Sequence, residues 1–95
     1  MLREDFEVHR NDILTVARHH GANNVRVFGS VARGDSVLGS DLDLLIDLEE
    51  GRSLLDLIAI KQDLEDLLGC KVDVVTDRSL SPYIRDAVRK DATAL

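Results

Sequence analysis

The sequence predicts a small α/β domain over residues 1–95, with a three-stranded mixed sheet packed against about four helices. Three observations lead there. Apolar residues recur at helical spacing near the start, the middle and the end of the chain. Short runs rich in Val, Leu and Ile lie between those segments, one of them alternating strictly with aspartate. One strand–helix–strand succession has the size of a crossover unit, which favours a parallel, right-handed strand pair.

In chain order, a first helix is expected from Arg3 to His20, where Phe6, Ile13, Val16 and Ala17 share a face. Gly21 stops it, and His19 and His20 in the last turn suit the negative end of the helix dipole. Adjacent residues point about 100° apart on a helix, so these histidines are poorly placed to share a metal. "VRVFG", residues 25–29, reads as a short strand ending in glycine, and a short helix or turn follows from Ser30. "DLDLLID", residues 41–47, is the alternating strand: Asp41, Asp43, Leu45 and Asp47 face one way, Leu42, Leu44 and Ile46 the other. A helix over 53–68 is capped by Ser53, carries Asp56 in its first turn and ends at Gly69. Its expected buried stripe is Leu54, Leu57, Ile60, Leu64 and Leu67. "KVDVVT", residues 71–76, is the third strand. Ser81-Pro82 opens a last helix, since proline at the first position sacrifices no hydrogen bond. Ile84, Ala87 and Val88 are expected to seat that helix on the core.

Composition narrows the function classes. With 44% apolar and 3% aromatic residues, a single core of mainly Leu, Ile, Val and Ala is feasible. No run approaches the roughly 18–20 apolar residues of a membrane span. The charged N-terminus has no signal core and the lone Cys70 forms no internal disulfide, so a cytoplasmic protein without a membrane partner is expected. Cys70 itself reads as an inert packing residue. The formal charge of −6 repels phosphate backbones, and one Tyr, two Phe and no Trp offer no platform for stacked bases. Direct nucleic-acid binding is therefore not expected.

The stretch "GSVARGDS", residues 29–36, nearly spells a phosphate loop of the form G-x-x-x-x-G-K-[ST], but Asp35 stands where the lysine belongs. An acid there repels the phosphates that the lysine would neutralise. A calcium loop also fails, because "DLDLLID" is too apolar between its acids and reads as a strand. A metal–phosphate site fits better. Residues two apart on a strand share a face about 6.6 Å apart, so Asp41 and Asp43 project together. Asp73, with Val72 and Val74 on the opposite face, joins them if the strands are in register. Three such carboxylates suit one or two divalent ions, and like charges at this distance raise their pKa values until a cation joins them. Upstream, Gly29 permits a tight turn, Ser30 offers a hydroxyl and an amide, and Arg33 a guanidinium suited to phosphate oxygens. The competing reading is a strand whose acids merely line a solvated face.

"GSVARGDSVLGSDLDLLID" contains Gly-Ser, ten residues, then Asp-x-Asp. It resembles the defining motif of the DNA polymerase beta-like nucleotidyltransferases, and in its fuller form their shortest branch, the minimal nucleotidyltransferases. The resemblance extends over essentially the whole chain. It implies that Gly29 and Ser30 hold the triphosphate of ATP, that Asp41 and Asp43 bind two Mg²⁺, and that Asp73 completes the site and helps activate an acceptor hydroxyl. Arg33 matches a family arginine near the phosphates. The implied reaction is attack of a hydroxyl on the α-phosphorus of a nucleoside triphosphate, with release of pyrophosphate. The implied partner is a small helical HEPN ribonuclease toxin, on which such antitoxins transfer AMP to a tyrosine.

Three readings follow. The chain is a Mg²⁺-dependent adenylyltransferase that silences a toxin; or a binding module that neutralises the toxin by occlusion; or an enzyme that modifies a small molecule, for which a domain of this length leaves little pocket. Tyr83 reads as partly packed at a helix start, Arg85, Arg89 and Lys90 as a solvated helix face, and Asp35 and Asp47 as surface acids.

Overall fold

The computed structural model describes residues 2–37 and 39–95. Its elements are α1 (Arg3–Val8), α2 (Arg10–His19), β1 (Ala22–Phe28), α3 (Gly29–Arg33), β2 (Leu42–Leu48), α4 (Leu54–Leu68), β3 (Val72–Thr76), a 3-10 turn (Asp77–Ser79), α5 (Pro82–Asp91) and β4 (Thr93–Ala94). The sheet order is β3-β2-β1-β4. β2 and β3 are parallel, as the crossover through α4 predicts, and β1 is antiparallel to both of its neighbours.

The mixed sheet therefore has four strands, not the expected three. β4 is two residues long and carries no alternation of its own; it exists because Thr93 and Ala94 pair with Val27 and Arg26 of β1. Leu95 extends the pairing, donating its amide to the Val25 carbonyl at 3.1 Å. The expected first helix is also two helices. His9 leaves helical geometry at φ −97° and ψ 7°, although its amide still reaches back to Asp5 and its carbonyl accepts from Ile13.

The alternation in β2 fills both faces of the sheet. Leu42, Leu44 and Ile46 join Phe6, Ile13, Ala17, Ile60, Leu64 and Val72 in the main core beneath α2 and α4. Leu45 points the other way, into a second cluster with Leu80 and Val88, packed by Phe28, Val75 and Ala92. Only part of the expected α4 stripe is buried: Ile60 and Leu64 are, but Leu54 is 69% and Leu67 44% exposed. Leu57 packs against the core, and at the end of the helix Leu68 does so in place of Leu67. α5 likewise rests on Val88, with Ile84 and Ala87 exposed, because the second cluster is too small to cover a whole helix face. α4 starts as the sequence predicts: the Ser53 hydroxyl accepts from the Leu55 amide and the Asp56 carboxylate from the Ser53 amide. Ser81 caps α5 ahead of Pro82. No helix of the described residues is long and apolar enough to cross a membrane.

Candidate active site

The second face of the sheet is divided along its length. α5 packs over Leu45 and Val75; one pleat repeat earlier on the same two strands, Asp43 is half-buried and Asp73 exposed. Asp43 and Asp73 are direct partners in the parallel β2–β3 register, so their side chains leave the same face on adjacent strands. On its other side Asp43 pairs with Phe28, the last residue of β1. Asp41 lies just before β2, exposed, beside the start of β3, where the Leu42 amide bonds the Lys71 carbonyl at 3.0 Å.

The glycine loop meets this carboxylate. Gly29 follows β1 at φ +75°, a left-handed conformation that favours glycine. A Cβ there would fall on the Asp43 Oδ2 atom and lie 3.3 Å from its Cγ. Gly29 is thus required twice, for the turn and for the approach of the acid. Ser30 is half-buried in the first turn of α3, whose end is marked by Gly34 in the left-handed region.

Burial pushes the Asp43 carboxyl above its ordinary range; the charges of Asp73 and then Asp41 push it further, and Arg33 opposes them. Asp43 is therefore a half-buried acid with two acidic neighbours. Arg33 is only a distant counterweight, because its guanidinium is engaged elsewhere: Nη1 donates to Asp91 Oδ2 at 2.7 Å and Nε to Asp35 Oδ2 at 3.3 Å. It ties α3 to the end of α5. Asp35, the anomalous residue of the near-phosphate loop, is exposed and serves as its second acceptor.

The donors on this face are all carboxylate oxygens, which suit a hard divalent cation, and the raised Asp43 carboxyl is what such a cation would relieve. Among the described residues no three His, Cys, Asp or Glu groups already stand close enough together to hold an ion. Asp41 precedes the strand that fixes Asp43. A cavity of about 670 Å³ opens at the opposite end of β2 and β3, between Asp47–Arg52 and Thr76–Arg78, and includes none of these acids.

Two residues near the acids escaped the sequence reading. Lys61 and Glu65 of α4 bond each other at 2.8 Å and both bond Val72, next to Asp73. Their i,i+4 spacing was the available signal, but it resembles any solvated helix pair. The remaining features are peripheral. His20 pairs with Asp63 at 2.7 Å, Asp47 with Arg26 at 2.9 Å, and Arg89 grips Asp77 through two bonds. Arg85 donates to the Leu80 carbonyl. Tyr83 is 95% exposed, not partly packed.

The sequence matches the model of the nucleotidyltransferase domain over residues 12–95. The chain belongs to that family. This nucleotidyltransferase is 42% identical over 71 residues to protein adenylyltransferase MntA of Thermococcus cleftensis, across 75% of this chain and 72% of that one. A solved structure of a candidate minimal nucleotidyltransferase superposes with a TM-score of 0.87 at 48% identity, over 100% of this chain and 97% of that one. The resemblance to the minimal branch read from the motif is thereby borne out. The nucleotidyltransferase also shares its fold with the MNT antitoxin in a complex containing a tri-AMPylated HEPN toxin of Shewanella oneidensis. There the TM-score is 0.71 at 20% identity, over 93% of this chain and 69% of that one.

Proposed function

We propose that this nucleotidyltransferase is an antitoxin that transfers AMP from ATP to a tyrosine hydroxyl of a cognate HEPN-type toxin. The observation that carries the reading is the Asp43–Asp73 register pair on the open half of the sheet face, with Gly29 against the same Asp43 carboxylate. The adenylyltransferase relative from Thermococcus cleftensis and the modified toxin in the Shewanella complex support the chemistry and the kind of partner.

In this reading Asp41 and Asp43 hold two Mg²⁺, and Asp73 completes the set. Bound there, the ions would supply the positive charge that the reaction needs as negative charge develops on the phosphate oxygens. Gly29 and Ser30 seat the triphosphate through the loop backbone and the hydroxyl, with Arg33 at the margin. Asp73 is the residue proposed to receive the proton of the acceptor hydroxyl, being beside Asp43 in the register. The new bond joins that oxygen to the α-phosphorus; the bond to the β-phosphate oxygen breaks, and pyrophosphate leaves with its electron pair.

The test is incubation of the chain with its partner toxin and ATP labelled at the α-phosphate. Label is expected on the toxin and is expected to vanish with Asp41→Asn and with Asp43→Asn. Silencing of the toxin by those variants without any label would replace this reading with neutralisation by occlusion.

A further inference from the structure

β3 is an edge strand, so one side of its backbone has no strand to pair with. The Lys71 carbonyl bonds the Leu42 amide of β2, which turns the amide and carbonyl of Val72 outward. Both outward groups are closed by α4. The Val72 amide donates to Glu65 Oε2 at 3.0 Å, Lys61 Nζ donates to the Val72 carbonyl at 2.9 Å, and Lys61 Nζ donates to the same Glu65 oxygen at 2.8 Å. One helical ion pair thus fixes both polar groups of a single residue, and the next residue is Asp73.

We propose that Lys61 and Glu65 are positioning residues whose pair clamps the edge of β3 at Val72 and thereby holds Asp73 opposite Asp43. The inference rests on the catalytic reading above for its consequence, but not for its geometry. An exposed i,i+4 pair contributes little to stability by itself. The Arg10–Glu7 pair, for comparison, joins two side chains on the surface and leans on the Phe6 ring. What distinguishes Lys61–Glu65 is that its bonds end on the peptide units that orient a site carboxylate. The Lys61 ammonium also lies in the field of the site: its proton is held chiefly by the Glu65 bond, with Asp73 and Asp41 adding to the hold. The clamp also protects the edge, because a charged pair over Val72 leaves no free amide there for another strand to join.

The test uses the full chain with Glu65→Ala, Glu65→Gln and Lys61→Met. Amide exchange at Val72 is expected to quicken about tenfold in Glu65→Ala, while exchange at Leu44 in the centre of β2 stays as it is. Glu65→Gln, whose amide oxygen still accepts the Val72 N–H, is expected to stay within about threefold of the wild type, and Lys61→Met to fall between. In the toxin-labelling assay Glu65→Ala is expected to lower kcat about tenfold with the KM for ATP nearly unchanged, and Glu65→Gln to restore most of that loss. Unchanged Val72 exchange in Glu65→Ala overturns the clamp, as does equal quickening at Leu44, which would mean general loosening. Local quickening with unchanged kcat overturns the link to Asp73. A wild-type chain that labels no toxin would instead sink the catalytic reading and leave the exchange result standing.

Discussion

Asp43→Asn is expected to raise the melting temperature of the protein in chelator at neutral pH, because the substitution removes a charge that folding makes costly and keeps the shape of the side chain. Neighbouring strands lie about 4.8 Å apart, so carboxylates leaving the same face at paired positions stand about 5 Å from each other. At that distance two unit charges repel by about 1 kcal/mol if the exposed Asp73 keeps the effective dielectric near that of water. For a domain of this size that corresponds to about 4–8 °C in melting temperature. Folding raises the Asp43 pKa above its ordinary 3.8. The native state therefore binds this proton more tightly than the unfolded chain, and stability falls as pH climbs from about 3.8 through the native value. The stabilisation by Asp43→Asn must then be present at pH 7 and fade as the pH is lowered past the folded pKa toward 3.8. Thermal melts of both proteins across that range, with and without Mg²⁺ and ATP, measure it. A variant less stable than wild type in chelator at pH 7, or a difference unchanged by acid, would refute the reasoning.

Gly29→Ala forces a left-handed backbone on alanine and drives its Cβ onto Asp43, so a loss of about 2 kcal/mol in urea unfolding is expected, with toxin labelling abolished. Leu45→Ala empties the centre of the second cluster and is expected to cost about 3 kcal/mol, read from the same unfolding curves, and to loosen α5 before the main core. Glu65 behaves oppositely to Asp43: its pKa is lowered, first by Lys61 and then by the Val72 amide. The stability it adds is present above its ordinary 4.5 and lost as the pH falls through the lower folded value, so Glu65→Gln is expected to flatten the acid limb of the melting-temperature profile.

The strongly periodic segments were legible because their apolar side chains return to a buried face at a fixed interval. β2 shows it best: its alternation marked the core set Leu42, Leu44 and Ile46 and turned Asp43 to the other face, where the β2–β3 register sets Asp73 beside it. β4 was illegible because a two-residue strand has no period; its partner β1 defines it. The break at His9 left no mark in the apolar spacing, since its amide and carbonyl stay within the hydrogen bonding of the flanking turns. The α4 stripe was overread for a related reason. Helical spacing identifies a face but not its edges, so Leu54 and Leu67 were counted as buried, whereas Leu68 packs against the core beside the exposed Leu67. At the site, the glycine and the acids were legible as residue types, whereas their contact was not. That Gly29 makes room for Asp43, and that Arg33 is held by Asp35 and Asp91, depends on the pairing of β1 with β2 and on where α5 ends.

The sign of the Asp43 effect also bears on whether the chain is an enzyme or only a cover for its partner. A docking surface has no use for a half-buried carboxylate beside two other acids; asparagine in its place would fill the same space and fold more firmly. Gly29 is what lets that carboxylate approach, because a Cβ at this left-handed turn would fall on it. The Asp43 carboxylate opposes stability at this point in the fold, and the cation proposed to bind there would offset that cost. If chelator-treated wild type proves as stable as Asp43→Asn, the carboxylate costs the fold nothing and gives no physical reason to place a cation there.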